Sequence, residues 1–257
     1  MTTSDNAFGD VTVAISPDHV AEVEMHRPPA NYFDAVLLAG VVDAIRWAAD
    51  ARARAVVLCS EGKHFCAGLD FGATDKPEPA ALASLYATAR DLVDSPLPVV
   101  VAVQGSAVGG GLGLALAGDF RVAAPSSRFA ANFVRLGFHQ GFGISLTLPA
   151  VVGRQKALEL LTTGRRIDGI EALQIGLCDR LDDDPRAGAR ALATELAGAA
   201  PLAVRSIRAT LRADLVDGFA AMVDHERGEQ LRLMETADFS EGIAASMDRR
   251  PPVFQGE

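Results

Sequence analysis

The sequence predicts an α/β domain whose sheet is covered by helices, and three observations carry that expectation. Short, continuous apolar runs at 56–59, 99–103 and 120–123 read as strands buried on both faces. Helical patterns lie between and after those runs, as they do where helices pack over a sheet. Strand signals then stop at Pro201, leaving a helical tail.

Taken in order, Val11 to Ile15 and Val20 to Met25 alternate apolar and polar residues around Pro17-Asp18, the pattern of a β-hairpin. A helix follows from about Asp34 to Ala49, with Leu38, Val41, Val42, Ile45 and Ala48 on one face. Val56-Val57-Leu58-Cys59 is the first buried strand. The turn-rich Ser95-Pro96-Leu97-Pro98 introduces the second, Val99 to Val103. Further helices are expected near 80–94, 110–118, 144–162, 168–175 and 186–199. Asp168 with Glu171 three residues on has the form of a helix start. Beyond Pro201, Val204, Ile207, Leu211 and Leu215 mark one helix face, while Arg205, Arg208 and Arg212 lie elsewhere and read as a solvated row. Phe219, Met222 and Val223 continue the apolar supply, so this tail must pack on the core or on another subunit. The expected organisation is a core over 1–200 and a helical region over 201–257.

Composition narrows the function classes. The 257 residues are 49% hydrophobic and 22% charged, ordinary for a chain that buries a full core as one large domain. The formal net charge of −9 argues against nucleic-acid binding through a broad basic face. Cys59, Cys66 and Cys178 form no CxxC, which points to a reducing compartment and no zinc site. The start lacks a signal-peptide pattern, and no apolar run reaches about 18 residues, so a cytoplasmic protein without a membrane span is expected.

Two segments carry the chemistry. Gly62-Lys-His-Phe-Cys-Ala-Gly-Leu-Asp70 follows the strand ending at Cys59. Gly105-Ser-Ala-Val-Gly-Gly-Gly-Leu-Gly113 follows the strand ending at Val103. A glycine run that opens a helix leaves N–H groups without intrahelical partners at the positive end of the helix dipole. Two such donors can hold a developing oxyanion. Neither loop contains GxGxxG or the Lys-Ser/Thr ending of a phosphate loop.

Together with Arg27-Pro28 before Asn31, Gly118-Asp-Phe-Arg121 and Arg250-Pro-Pro-Val-Phe254, these loops resemble the crotonase (enoyl-CoA hydratase/isomerase) superfamily. The resemblance spans essentially the whole chain. It implies a spiral of ββα turns, a helical C-terminal trimerisation region, and a CoA thioester in the cleft. It also implies that the backbone N–H groups of Leu69 and Gly110 form an oxyanion hole for an enolate. Ala67 and Asp70 then lie in the CoA-binding loop, although Asp70 also reads as a loop or cap residue, and Gly109 and Phe133 are expected to bind substrate as well. The partner implied is an acyl-CoA substrate, with CoA as part of the thioester. No metal or redox cofactor is implied, and a homotrimer or dimer of trimers is expected.

The resemblance breaks where the catalytic acids belong. The positions of the two hydratase glutamates hold Gly113 and Phe133, and a third carboxylate position used elsewhere in the superfamily holds Gly141. Phe133 makes the pocket more apolar. His139 is the candidate acid/base, because an imidazole titrates near neutrality. His64 is expected toward solvent or the CoA nucleotide. Cys66 is a weaker nucleophile candidate, and Asp119 reads as structural. Tyr86 and Arg90 are expected mainly on an exposed helix face. The leading expectation is an acyl-CoA enzyme of hydratase/isomerase type with an atypical reaction. A non-catalytic acyl-CoA-binding or regulatory protein, or a structural subunit, are the alternatives.

Overall fold

A computed structural model describes residues 4–70 and 79–257 of the chain. The expected hairpin forms from β2 (Val11–Ile15) and β3 (Val20–Met25), with β1 (Ser4–Phe8) pairing antiparallel at its edge. β4 (Ala55–Ser60), β5 (Val99–Val103), β7 (Phe120–Ala123) and β10 (Arg180–Leu181) continue in parallel, giving the order β1-β2-β3-β4-β5-β7-β10.

β4 and β5 are buried at every residue because helices cover both faces. Val57, Cys59, Val100 and Ala102 cluster with Ala189, Leu192 and Ala193 of α7 (Pro185–Gly198). The alternate residues Val56, Leu58, Val99 and Val101 share the main core with Leu38, Val41 and Ile45 of α1 (Ala35–Asp50). Asp34 caps α1, its Oδ1 accepting the Leu37 N–H at 2.8 Å.

A three-stranded sheet, β6-β8-β9, creates the spiral. After β5 the chain crosses into it as β6 (Ser106–Val108), then enters α3 (Gly110–Ala117). It returns to the large sheet as β7, crosses again as β8 (Arg128–Ala130), and continues through a 3-10 turn at Asn132–Leu136. Each turn is strand, strand, helix. α2 (Pro79–Val93) precedes β5; β9 (Arg166–Asp168) and α6 (Gly169–Gln174) lead to β10.

Several expectations are corrected. The stretch 144–162 is two helices, α4 (Ile144–Val152) and α5 (Arg154–Thr163), divided at Gly153 where φ is +77°. β1, β6, β8, β9 and β10 carry no apolar run long enough to announce them. Asp168 does cap α6, but Glu171 pairs with Arg165 instead of reaching back to the cap.

The tail holds the largest reversal. α8 (Pro201–Leu233) and α9 (Ala237–Met247) form as helices, yet Ile207 and Leu211 are 60% and 80% exposed on this chain. Arg208 and Arg212 point inward. Both reach Asp119, at 2.9 Å and 3.1 Å, and both donate to the Val93 carbonyl. Asp119 also accepts the Val99 N–H at 2.8 Å, so one largely buried carboxylate ties α8 to the start of β5. The cations therefore lie inside because the anion does.

Removing Asp119 leaves two poorly hydrated guanidinium groups without their counter-charge. Asp119→Ala is expected to lower unfolding free energy by about 3–5 kcal/mol, read from the midpoint of a urea titration.

Candidate active site

The site begins with Asn31, fully buried, whose side-chain N–H groups donate to the carbonyls of Glu61 and His64 at 2.8 and 2.7 Å. Its Oδ1 accepts the Arg27 N–H, which accounts for the Arg27…Asn31 spacing. Gln104 donates to the Ser60 carbonyl at 2.6 Å, so the ends of β4 and β5 are held side by side. The first glycine loop leaves from one and the second from the other.

The loops then lock together. Cys66 N–H donates to the Ser106 carbonyl, and Val108 N–H donates to the Cys66 carbonyl, both at 3.0 Å. Gly111 allows this approach, since a Cβ there would lie 2.1 Å from the Cys66 oxygen. Gly109 turns into α3 at φ +55°. Among the described residues, the N–H groups of Leu69 and Gly110 have no acceptor. Gly110 opens α3, so the helix dipole adds positive potential there.

These donors face a cavity of about 750 Å³. Ala67, Leu69, Asp70, Gly109, Gly110 and Phe133 all line it, so the structure gathers these six expected residues in one place. Phe33, Phe138, Phe142, Leu136 and Met234 make much of the wall apolar. His64, Asn132, Tyr86 and Gln230 contribute polar groups.

His139 is the correction among the site residues. It does not line the cavity; its Nδ1 lies 2.8 Å from the Gln140 carbonyl, and its ring packs edge-on against His225. His64 lines the cavity, and its Nδ1 is buried without a hydrogen-bond partner among the described residues. Cys66 is fully buried, and burial pushes its thiol up to about 12, which removes it as a nucleophile. Tyr86 is buried rather than on an exposed face, while Arg90 is exposed.

Aromatic groups crowd Gly113 and Gly141, two of the positions where the resemblance would place a carboxylate. A Cβ on Gly113 would meet the Phe142 Cβ at 2.7 Å, and one on Gly141 would lie 2.0 Å from the Tyr86 hydroxyl. Phe142 also packs on Phe33, with ring centroids 5.2 Å apart. Behind this segment, buried Glu226 accepts the N–H groups of Gly143 and Ser145 at 2.7 and 2.8 Å and fixes the start of α4. Burial raises the Glu226 carboxyl from its ordinary value, against the opposing pull of those donors.

The enoyl-CoA hydratase/isomerase family model matches residues 16–257. The chain belongs to this family. It is 37% identical over 238 residues to cyclohexa-1,5-dienecarbonyl-CoA hydratase of Thauera aromatica, covering 89% of this chain and 90% of that protein. A probable enoyl-CoA hydratase of Bacillus subtilis is 31% identical, covering 93% and 96% of the two chains. The crystal structure of an enoyl-CoA hydratase/isomerase from Pseudoalteromonas atlantica superposes with a TM-score of 0.84 at 30% identity, covering 96% of this chain and all of that one. The crotonase superfamily resemblance and its fold are thereby established.

In this family member the C-terminal end closes one side of the cavity. Ser246, Met247 and Arg249 line it, and α9 packs on the 3-10 turn that carries Phe133. Arg250 pairs with Glu241 at 2.6 Å, and the Val253 N–H donates to the same carboxylate at 2.8 Å. The Arg250 guanidinium, helped by that N–H, holds the Glu241 carboxyl at about 2 instead of 4.5. A depressed carboxyl contributes fully above its ordinary value and loses its contribution as pH falls through the folded one. The Val253 amide shift in NMR is therefore expected to stay flat from pH 6 down through 4.5 and to move only toward pH 2. Glu241→Gln should shift that amide already at neutral pH.

Proposed function

We propose that this protein is an acyl-CoA enzyme that stabilises an enolate at the thioester through the N–H groups of Leu69 and Gly110. The single observation that carries the reading is the pair of unpartnered backbone donors opening into the cavity from two interlocked loops. Drawing a proton from the carbon beside a thioester carbonyl, or adding a nucleophile to its unsaturated neighbour, places charge on the carbonyl oxygen. Deleting one such donor typically costs about 2.7–4 kcal/mol, or roughly 10²–10³ in kcat. CoA enters as part of the substrate. Ala67, Asp70 and Gly109 line its path, and Phe133 forms part of the acyl wall.

The reaction is of hydratase or isomerase type and departs from two-glutamate hydration. Gly113 and Phe133 supply no carboxylate, and Phe142 fills the space beside Gly113. Among the described cavity residues, His64 and Asp70 are the imidazole and the carboxylate. The aromatic wall suits an unsaturated acyl chain or ring, a preference supported by the similarity to the Thauera aromatica hydratase. The missing acids favour one second reading, an acyl-CoA-binding protein without turnover.

A panel of acyl-CoA thioesters in deuterated water, followed by mass spectrometry, tests the choice. The enzyme reading expects deuterium gain, water addition or cleavage on at least one thioester. Gly110→Pro, which lacks the donor and also brings a Cβ against the Phe33 ring, should slow that change by at least roughly 10²-fold. Binding with no change in any thioester would establish the second reading.

The exposed Leu202, Ile207 and Leu211 on α8 support assembly through the tail, as a homotrimer or dimer of trimers. Light scattering is expected to give three or six times the chain mass, and Leu211→Glu to lower it.

A further inference from the structure

The far wall of the cavity contains a polar pair that neither the family resemblance nor the oxyanion loops account for. Tyr86 on α2 and Gln230 on α8 are 5% and 3% exposed, and both line the cavity. The Tyr86 hydroxyl donates to the Gln230 Oε1 at 2.5 Å. The Gln230 Nε2 donates one N–H to the His139 carbonyl at 3.0 Å. A primary amide has two N–H donors, and the second has no partner among the described residues. The Phe142 backbone N–H lies against the phenol oxygen, so the group of this pair left for a ligand is the second Gln230 N–H. Burial raises the Tyr86 phenol far above its ordinary value, so it stays protonated and serves as a hydrogen-bonding group.

The surroundings make this pair informative. Leu85, Phe138, Phe142 and Met234 line the same cavity and offer no polar side-chain partner. An apolar pair of the same shape would avoid the cost of desolvating an amide with a spare donor. The tyrosine also stands in a defined place, filling the space into which a side chain at residue 141 would project. Glycine at 141 thus leaves a hydroxyl where the superfamily can place a carboxylate.

We infer that Tyr86 and Gln230 are the specificity-determining groups of the acyl pocket, and that the acyl group it takes bears an oxygen, as hydroxyl or carbonyl, that meets them. The substrate class is an oxygen-substituted acyl-CoA rather than a plain hydrocarbon one. This rests on the acyl-CoA reading of the cavity. The oxygen accepts the free Gln230 N–H, and Tyr86 holds that amide in place through its hydrogen bond to the Gln230 Oε1. No covalent step is assigned to either residue.

The test is calorimetric titration of the full chain with matched thioesters. Benzoyl-CoA is compared with its three monohydroxylated ring isomers, and hexanoyl-CoA with 6-hydroxyhexanoyl-CoA. At least one hydroxylated ligand is expected to bind about tenfold more tightly than its parent, the worth of one well-placed buried hydrogen bond. Tyr86→Phe, which keeps the ring and the packing, should reduce that ratio to within about twofold; Gln230→Met provides an independent second variant. The inference is overturned if no hydroxylated ligand outbinds its parent, or if the preference survives in both variants. If no thioester of either kind binds, the acyl-CoA reading itself fails, and this inference with it.

Discussion

Two backbone hydrogen bonds, Cys66 N–H to Ser106 and Val108 N–H to Cys66, hold the first glycine loop against the second. Neither loop alone offers a pair of convergent donors, because each leaves the large sheet from a different strand. The bridge sets the separation of Leu69 and Gly110, and it tolerates no side chain at Gly111, where the Cys66 oxygen occupies the space of a Cβ. It also extends the small sheet by one strand-like residue, since Cys66 pairs in parallel with Ala107. The convergence of the two free N–H groups and the second layer of the spiral are thus the same contact. That explains why the donors can be backbone groups while the residue carrying one of them is a leucine.

Beside the donors, Phe142 and Tyr86 occupy the space into which side chains at Gly113 and Gly141 would project, so a larger residue at either position requires moving an aromatic group that is itself packed. Phe142 rests on Phe33, and a Cβ at Gly110 would strike the Phe33 ring at 2.6 Å. The donor loop and the aromatic wall are therefore mutually fitted. Glu226 braces this wall from behind, spending its carboxylate on two α4 amides instead of on a substrate. A buried carboxylate near a cavity is a tempting catalytic group, but both of its oxygens are already used, and it does not line the cavity.

The sequence shows the large sheet because strands buried on both faces must be continuously apolar, as β4 and β5 are. It hides the small sheet because three-residue strands at half-exposed positions leave no periodicity to read. The same division runs through the site. Leu69, Gly109 and Gly110 were legible because the two glycine loops that carry them resemble those of the superfamily. Gln230 was not, because it reaches the cavity from a helix well over a hundred residues later, and nothing local marks it. His139 misled for the converse reason: its place in the right segment fixes its sequence neighbours, while the left-handed backbone at Phe142 and Gly143 helps decide which side chains turn inward. Tyr86 shows that a helix carrying a charged face can still bury the tyrosine beside it.

The inverted face of α8 follows from the same kind of accounting. Periodicity identifies an apolar stripe, but it does not say which stripe faces the core, and for a helix that meets a buried anion the usual assignment reverses. Asp119 needs counter-charge because water cannot reach it well, so Arg208 and Arg212 turn inward, their long stems packing while their heads reach carbonyls and carboxylate. With the arginines committed inward, Ile207 and Leu211 face away from this chain. The inward ion cluster and these outward apolar residues are thus two consequences of one buried aspartate.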